Sequence, residues 1–269
     1  MRASRDGLEA LARGASVALL LFGSACSDRP IVAVDPCSSD ALDGLVGYWR
    51  LNEAVDSTMA RDWSGQDNTG TLLGLDPAAA WTTGGPEGGA LSAQGKGYVK
   101  VPRSESIDRV VDQVTVAAWM FLQGTPVDYA TAISRQVGTT FGQTYHLSVN
   151  AQMLPWLFIT TPASGQVVVR GVDAVPMQTW VHLVGTYDGA QARLYVDGQP
   201  IANGPVTGAF APETNPVVLS GNANNVDQAI VEVIPGRVDG VLLYQRALSA
   251  GQIARLHACG SLVSAGTFR

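Results

Sequence analysis

Residues 180–198, WVHLVGTYDGAQARLYVDG, admit few folds. Two runs of β-branched, aromatic and aliphatic residues flank Asp188-Gly189, and a second pair follows at Asp197-Gly198. Asp and Gly tolerate positive φ, so each pair marks a tight turn between antiparallel strands. In the second run Leu194 and Val196 alternate with Arg193, Tyr195 and Asp197, the period of two that gives a strand one apolar face. The first run is apolar on both faces, with Val181, Leu183 and Tyr187 on one and Trp180, Val184 and Thr186 on the other. It must be covered on both sides. A doubly covered strand beside a more exposed one is what a β-sandwich needs.

The rest of the chain fits that frame. Apolar runs between turn residues predict strands at 45–51, 71–75, 90–92, 97–101, 114–122, 130–135, 145–150, 154–160, 166–169, 200–202, 217–220, 228–233 and 238–245. The 30 Gly and 14 Pro are spread along the chain, so they punctuate turns and mark no linker. With 46% hydrophobic residues, the chain can bury one large core. Many short strands without a long amphipathic helix predict an all-β, two-sheet antiparallel jelly roll. One short helix is expected near the end. Ser249 and Gln252 have capping-box spacing, Ile253 and Leu256 give an apolar side, and Cys259-Gly260 ends it.

The hairpin motif W-x-H-L-V-G-T-Y-D-G followed by R-L-Y-V-D-G resembles that of bacterial LamG-like domains, of the laminin G and concanavalin A-like superfamily. Two further blocks share the resemblance: Gly44 to Glu53 (GLVGYWRLNE), and Pro235 to Val241 running into Tyr244-Gln245-Arg246-Ala247-Leu248-Ser249. Together they cover residues 44–257. The resemblance implies a concanavalin A-like jelly roll serving as a non-catalytic surface module, which binds a carbohydrate or an extracellular protein through loops at one rim.

Arg2, Arg5 and Arg13 precede an uncharged run ending in small residues and Cys26, the layout of an export signal. Gly23-Ser24-Ala25-Cys26 resembles a lipoprotein box, with Gly23 where a larger aliphatic is usual. The expectation is a signal peptide at 1–25, a lipidated Cys26, a tether at 26–36, a domain at 37–260 and a tail at 261–269. The anchor would be the only membrane attachment, at the outer membrane or cell surface. The alternative is a secreted or periplasmic protein. In an oxidising compartment Cys37 and Cys259 form an even pair and are expected to bridge. A loop of about 220 residues gains roughly 5 kcal/mol at most from such closure. Removing residues 1–25 takes the net charge from −6 to −7, with no basic patch, which argues against a nucleic-acid partner.

Between Asp62 and Gly70, oxygen-bearing side chains recur at positions 62, 64, 66 and 68 around Gly65, a pattern able to converge on a hard cation. It is also the pattern of a polar turn closed by side chain-to-backbone bonds. The resemblance implies a structural Ca²⁺ held by Asp62, Asn68 and the closing-strand Asp239, with Glu53 as an added ligand. His146, His182 and His257 lack zinc-ligand spacing. Trp49, Trp119 and Trp180 sit inside apolar runs and read as core. Trp63, Trp81 and Trp156 lie nearer loops, where an indole can stack on a sugar. Glycoside hydrolysis needs two carboxylates facing one bond. The paired run E-x-D-x-x-E of related glucanases is absent, and a distant pair such as Asp128 and Glu232 is not visible as neighbours in sequence. A divergent hydrolase or lyase and a purely structural envelope protein remain the alternative readings.

Overall fold

The computed structural model describes residues 42–138, 142–223 and 229–264. The chain opens with β1 (Leu45–Trp49), β2 (Met59–Ala60), β3 (Gly70–Leu73), helix α1 (Pro77–Ala80), β4 (Trp81–Thr83), β5 (Gly89–Ser92), β6 (Tyr98–Val101) and helix α2 (Glu105–Asp108). Long strands follow: β7 (Val114–Leu122), β8 (Tyr129–Gln136), β9 (Gln143–Asn150), β10 (Pro155–Thr161), β11 (Gly165–Arg170), β12 (Trp180–Tyr187), β13 (Gln191–Val196) and β14 (Gln199–Pro205). The chain closes with β15 (Val217–Leu219), β16 (Asn222–Ala223), β17 (Ile230–Val231), β18 (Gly236–Tyr244) and helix α3 (Ala250–Ser264).

Two antiparallel sheets form. The first runs β14-β13-β12-β7-β18-β5-β4, with β1 also on β18; the second runs β11-β10-β9-β8-β15-β6-β3-β2. Strand alternation sets the layers. Val114, Val116, Ala118, Met120 and Leu122 of β7 point into a core shared with Leu147, Val149, Leu157 and Ile159 of the second sheet. The intervening β7 residues face outward, where Ala117 packs with Leu248 and Ile253 under α3. Thus β12 is covered on both faces: β7 and β13 flank it, the core lies beneath it and α3 packs above.

The turns follow the dipeptides. Asp188 Oδ1 accepts from the amides of Ala190 and Gln191, closing the first. Asp197 and Gly198 both have positive φ, 47° and 77°, as a two-residue hairpin between Val196 and Gln199 requires. The capping box also forms: Gln252 N donates to Ser249 Oγ at 3.3 Å, and Ser249 N donates back to Gln252 Oε1 at 2.9 Å.

Several expectations are corrected. Helix α3 continues past Gly260 to Ser264; Gly260 serves a close approach to Trp119, where a Cβ would come within 2.7 Å of the ring, and does not end the helix. Of the expected strand 228–233, residue 228 lies outside the described residues and within 229–233 only Ile230–Val231 is strand, since Glu232 turns away at φ 58°. Trp180 is half-buried on the outer face against Phe121, not core. Cys26, Cys37, the signal peptide and the tether lie outside the described residues. Among the described residues, no helix is long and apolar enough to cross a membrane.

Candidate functional site

Asp62 and Asn68 come together, but as a turn. Asp62 Oδ1 accepts from the amides of Tyr48 at 3.0 Å and Ser64 at 2.8 Å; Oδ2 accepts from Asn68 N at 2.8 Å and meets Ser64 Oγ at 2.7 Å. Asn68 Nδ2 donates to Val46 O and Ser106 Oγ, and its Oδ1 accepts from Ser104 Oγ at 2.6 Å. These oxygens already serve O–H and N–H groups, and the loop ties β1 to the start of α2.

Asp239 stands elsewhere, on the outer face of the first sheet, fully buried. Its Oδ2 accepts from Glu87 N at 2.8 Å, while Oδ1 has no hydrogen-bond partner. Burial, then the nearby Glu87 charge, push its carboxyl well above the usual range. The Tyr48 hydroxyl donates to Glu87, and Arg50 Nε lies 3.8 Å from the same carboxylate. Glu53 accepts from Arg61 N, and burial raises its pKa as well. Among the described residues, no three His, Cys, Asp or Glu side chains gather to hold a metal. The set Asp62, Asn68, Asp239 and Glu53 does not fit one calcium ion. The positive charge beside these carboxylates is Arg50, whose field favours the charged forms of both Glu53 and Asp239.

A different cluster forms on the outer face of the second sheet. Register places His146 opposite Phe158, and Ser148 opposite both Thr131 and Trp156. Alternation turns all five side chains outward from the core. Tyr129 meets Trp156 and Phe158 edge-on at 5.6 Å each, and the His146 ring stacks on Phe158 at 4.8 Å. Arg170, opposite Trp156 on β11, lies 5.9 Å from its ring.

Polar groups run through this aromatic patch. Thr131 Oγ1 lies 2.6 Å from His146 Nε2 and donates to Glu232 Oε2 at 3.0 Å. Asn222 Nδ2 donates to the same oxygen at 3.1 Å. Burial pushes the His146 pKa down to about 3, so the ring is neutral at physiological pH. Burial also raises Glu232, against the lowering effect of the Thr131 and Asn222 bonds; the Asp128 charge adds to the rise. His146 Nδ1, Ser148 Oγ, Trp156 Nε1, Thr160 Oγ1 and Asn222 Oδ1 are buried without a protein partner. Each such atom costs about 1–3 kcal/mol unless water or a ligand satisfies it. Glu232 holds its place at positive φ, a conformation that costs a non-glycine residue about 1–2 kcal/mol.

In the sequence His146 and Trp156 stand out one at a time and Glu232 only as a distant partner for Asp128, while Tyr129, Thr131 and Asn222 do not stand out. Period-two alternation carried a signal for most of them: on β8, β9 and β10 the outward positions hold Tyr, Thr, His, Ser and Trp. The approach of Glu232 and Asn222 depends on a long-range return of the chain that no local pattern encodes.

These features define a two-sheet jelly roll with an aromatic and polar outer face. Residues 93–254 match a laminin G family model of the concanavalin A-like lectin/glucanases superfamily, and the chain belongs to that family. No curated protein matches its sequence. Among solved structures it is similar to domain 4 of AbnA, a GH43 extracellular arabinanase of Geobacillus stearothermophilus, determined with arabinotriose. The identity is 18% over 79% of this chain and 98% of that one, with a TM-score of 0.56. It is also similar to Trypanosoma rangeli sialidase in complex with sialic acid, at 18% identity over 80% of this chain and 33% of that one, TM-score 0.57. The binding domain of Paraclostridial Mosquitocidal Protein 1 matches at 16% identity over 80% of this chain and 52% of that one, TM-score 0.58.

Proposed function

We propose that this protein is a non-catalytic, extracytoplasmic glycan-binding module, and that the ligand lies on the outer face of the second sheet. The observation that carries this reading is the row of partnerless buried polar atoms around Trp156, Tyr129 and Phe158. Carbohydrate recognition calls for that pairing of hydroxyl-directed polar groups with an apolar ring face. The arabinotriose complex of AbnA domain 4 supports the class of ligand. This face takes the place of the rim loops in the expected binding mode; the Asp62–Asn68 loop is a buried, self-bonded turn.

An oligosaccharide array probed with the wild-type protein and Trp156→Ala tests this reading. The expected result is binding that the variant loses at least tenfold. Thr131→Val, which removes a hydroxyl and little volume, should weaken binding with less risk to folding. Equal binding by wild type and both variants would remove the face from the account. Turnover of any glycan on the array would replace the binding module with an enzyme.

Export completes the proposal. Cys26 carries the lipid anchor and Cys37 pairs with Cys259, whose side chain is buried near the end of α3. Metabolic acyl labelling lost in Cys26→Ser tests the first, and a non-reducing peptide map tests the second.

A further inference from the structure

The hydrogen-bond chain on this face has a direction. An ionised Glu232 can only accept, so the single Thr131 hydroxyl proton goes to Glu232 Oε2. The 2.6 Å contact between Thr131 Oγ1 and His146 Nε2 must then be filled by the imidazole as donor. Glu232 Oε2 lies a further 3.4 Å from the same nitrogen, which also favours a proton there. His146 is therefore the Nε2–H tautomer, and its partnerless Nδ1 is a lone pair. Asn222, which spends Nδ2 on Glu232, leaves Oδ1 partnerless as well. Among the described residues both hydrogen bonds to the Glu232 carboxylate fall on Oε2, which leaves Oε1 for water or ligand. The three leftover acceptors belong to three residues joined in one hydrogen-bonded cluster, His146, Asn222 and Glu232, beside the Phe158 ring on which His146 stacks.

We propose that this Glu232–Thr131–His146 relay sets the specificity of the face for neutral, hydroxyl-donating saccharides and against acidic ones. This rests on the glycan-binding reading above. A carboxylated or sulfated sugar would bring acceptors to acceptors, and negative charge to the carboxylates of Glu232 and Asp128. Arg170 is the opposing influence, a guanidinium beside Trp156 that favours acidic ligands. Glu232→Gln reverses the relay. A glutamine at 232 can turn its amide toward Thr131, Thr131 then donates to His146 Nε2, and Nδ1 carries the proton instead.

Two measurements decide. Long-range ¹⁵N NMR of the wild-type protein at pH 7, needing no ligand, should show His146 protonated at Nε2, and Glu232→Gln should move the proton to Nδ1. A wild-type His146 protonated at Nδ1 would overturn the relay. Titration calorimetry with arabinan, galactan and xylan oligosaccharides against polygalacturonate and sulfated galactan oligosaccharides tests the consequence. The wild type should prefer the neutral set at least tenfold, and Glu232→Gln should narrow that preference at least fivefold. Acidic oligosaccharides binding as tightly as neutral ones would overturn the proposal and leave the glycan-binding reading standing. Silence from every oligosaccharide would end both.

Discussion

His146 and His182 show how a buried side chain makes this fold sensitive to acid. Each is almost fully enclosed, and burial holds each imidazole near a pKa of about 3; for His182 the neighbouring His257 adds to the effect. The unfolded value is about 6.5. Between those values the unfolded chain takes up a proton that the folded chain refuses. Stability is therefore complete above about pH 6.5 and falls as the pH drops toward 3, by roughly 4–5 kcal/mol per site over the window. The buried carboxyls of Glu53, Glu232 and Asp239 act with the opposite sign. Their folded pKa values are raised, so acidification through them restores stability. Urea unfolding of wild type and His182→Gln from pH 7 to pH 4 separates the two effects. The variant should lose less stability than wild type over that range; parallel curves would show that His182 does not titrate in the window. At Asp62 the prediction concerns bonds rather than protons. Asp62→Ala frees the amides of Tyr48, Ser64 and Asn68, and should cost about 3 kcal/mol in urea unfolding. Because the oxygens of that carboxylate are engaged by three amides and a hydroxyl, chelator should leave the wild-type melting midpoint unchanged. A clear fall on chelation would restore the calcium site.

Among the elements, the long central strands were legible in the sequence because their apolar residues recur with period two, as in β7 and β12. The Asp-Gly turns and the Ser249–Gln252 cap were legible because their chemistry is local. Strands β2 and β4 were not, being two and three residues long, and neither was α1 or α2, each a single turn held by its cap residue. The Asp62–Gly70 loop was ambiguous in sequence for a related reason. Alternating oxygens suit a cation and an Asx turn equally well, and the Tyr48 amide and Ser104 hydroxyl that bond to this loop come from distant parts of the chain. In β18 a bulge at Gly240, φ 54°, breaks register between Asp239 and Leu242, so Val241 returns to the core. Gly240→Ala forces a Cβ to within 2.7 Å of the Glu87 carboxylate at a positive φ. It should cost about 2 kcal/mol by thermal or urea unfolding. Ser249→Ala removes one side of the α3 cap and should cost about 1 kcal/mol, read the same way.

At the scale of the whole molecule, the two sheets differ in what covers them. Partnerless buried polar atoms occur on both outer faces, with Asp239 Oδ1, His182 Nδ1 and Thr186 Oγ1 on the first sheet, but helix α3 packs over the first, whereas among the described residues no helix packs over the Tyr129, Trp156 and Phe158 cluster of the second. That asymmetry is the reason to assign binding to the second sheet. The six tryptophans of the chain give an indole probe for each region. A ¹H–¹⁵N titration with an oligosaccharide that binds on the array should move the Trp156 indole signal and the backbone amides of Thr131 and His146, while the Trp49 and Trp119 indoles stay in place. Shifts confined to the rim near Asp62 and Trp63, with Trp156 unmoved, would contradict the assignment.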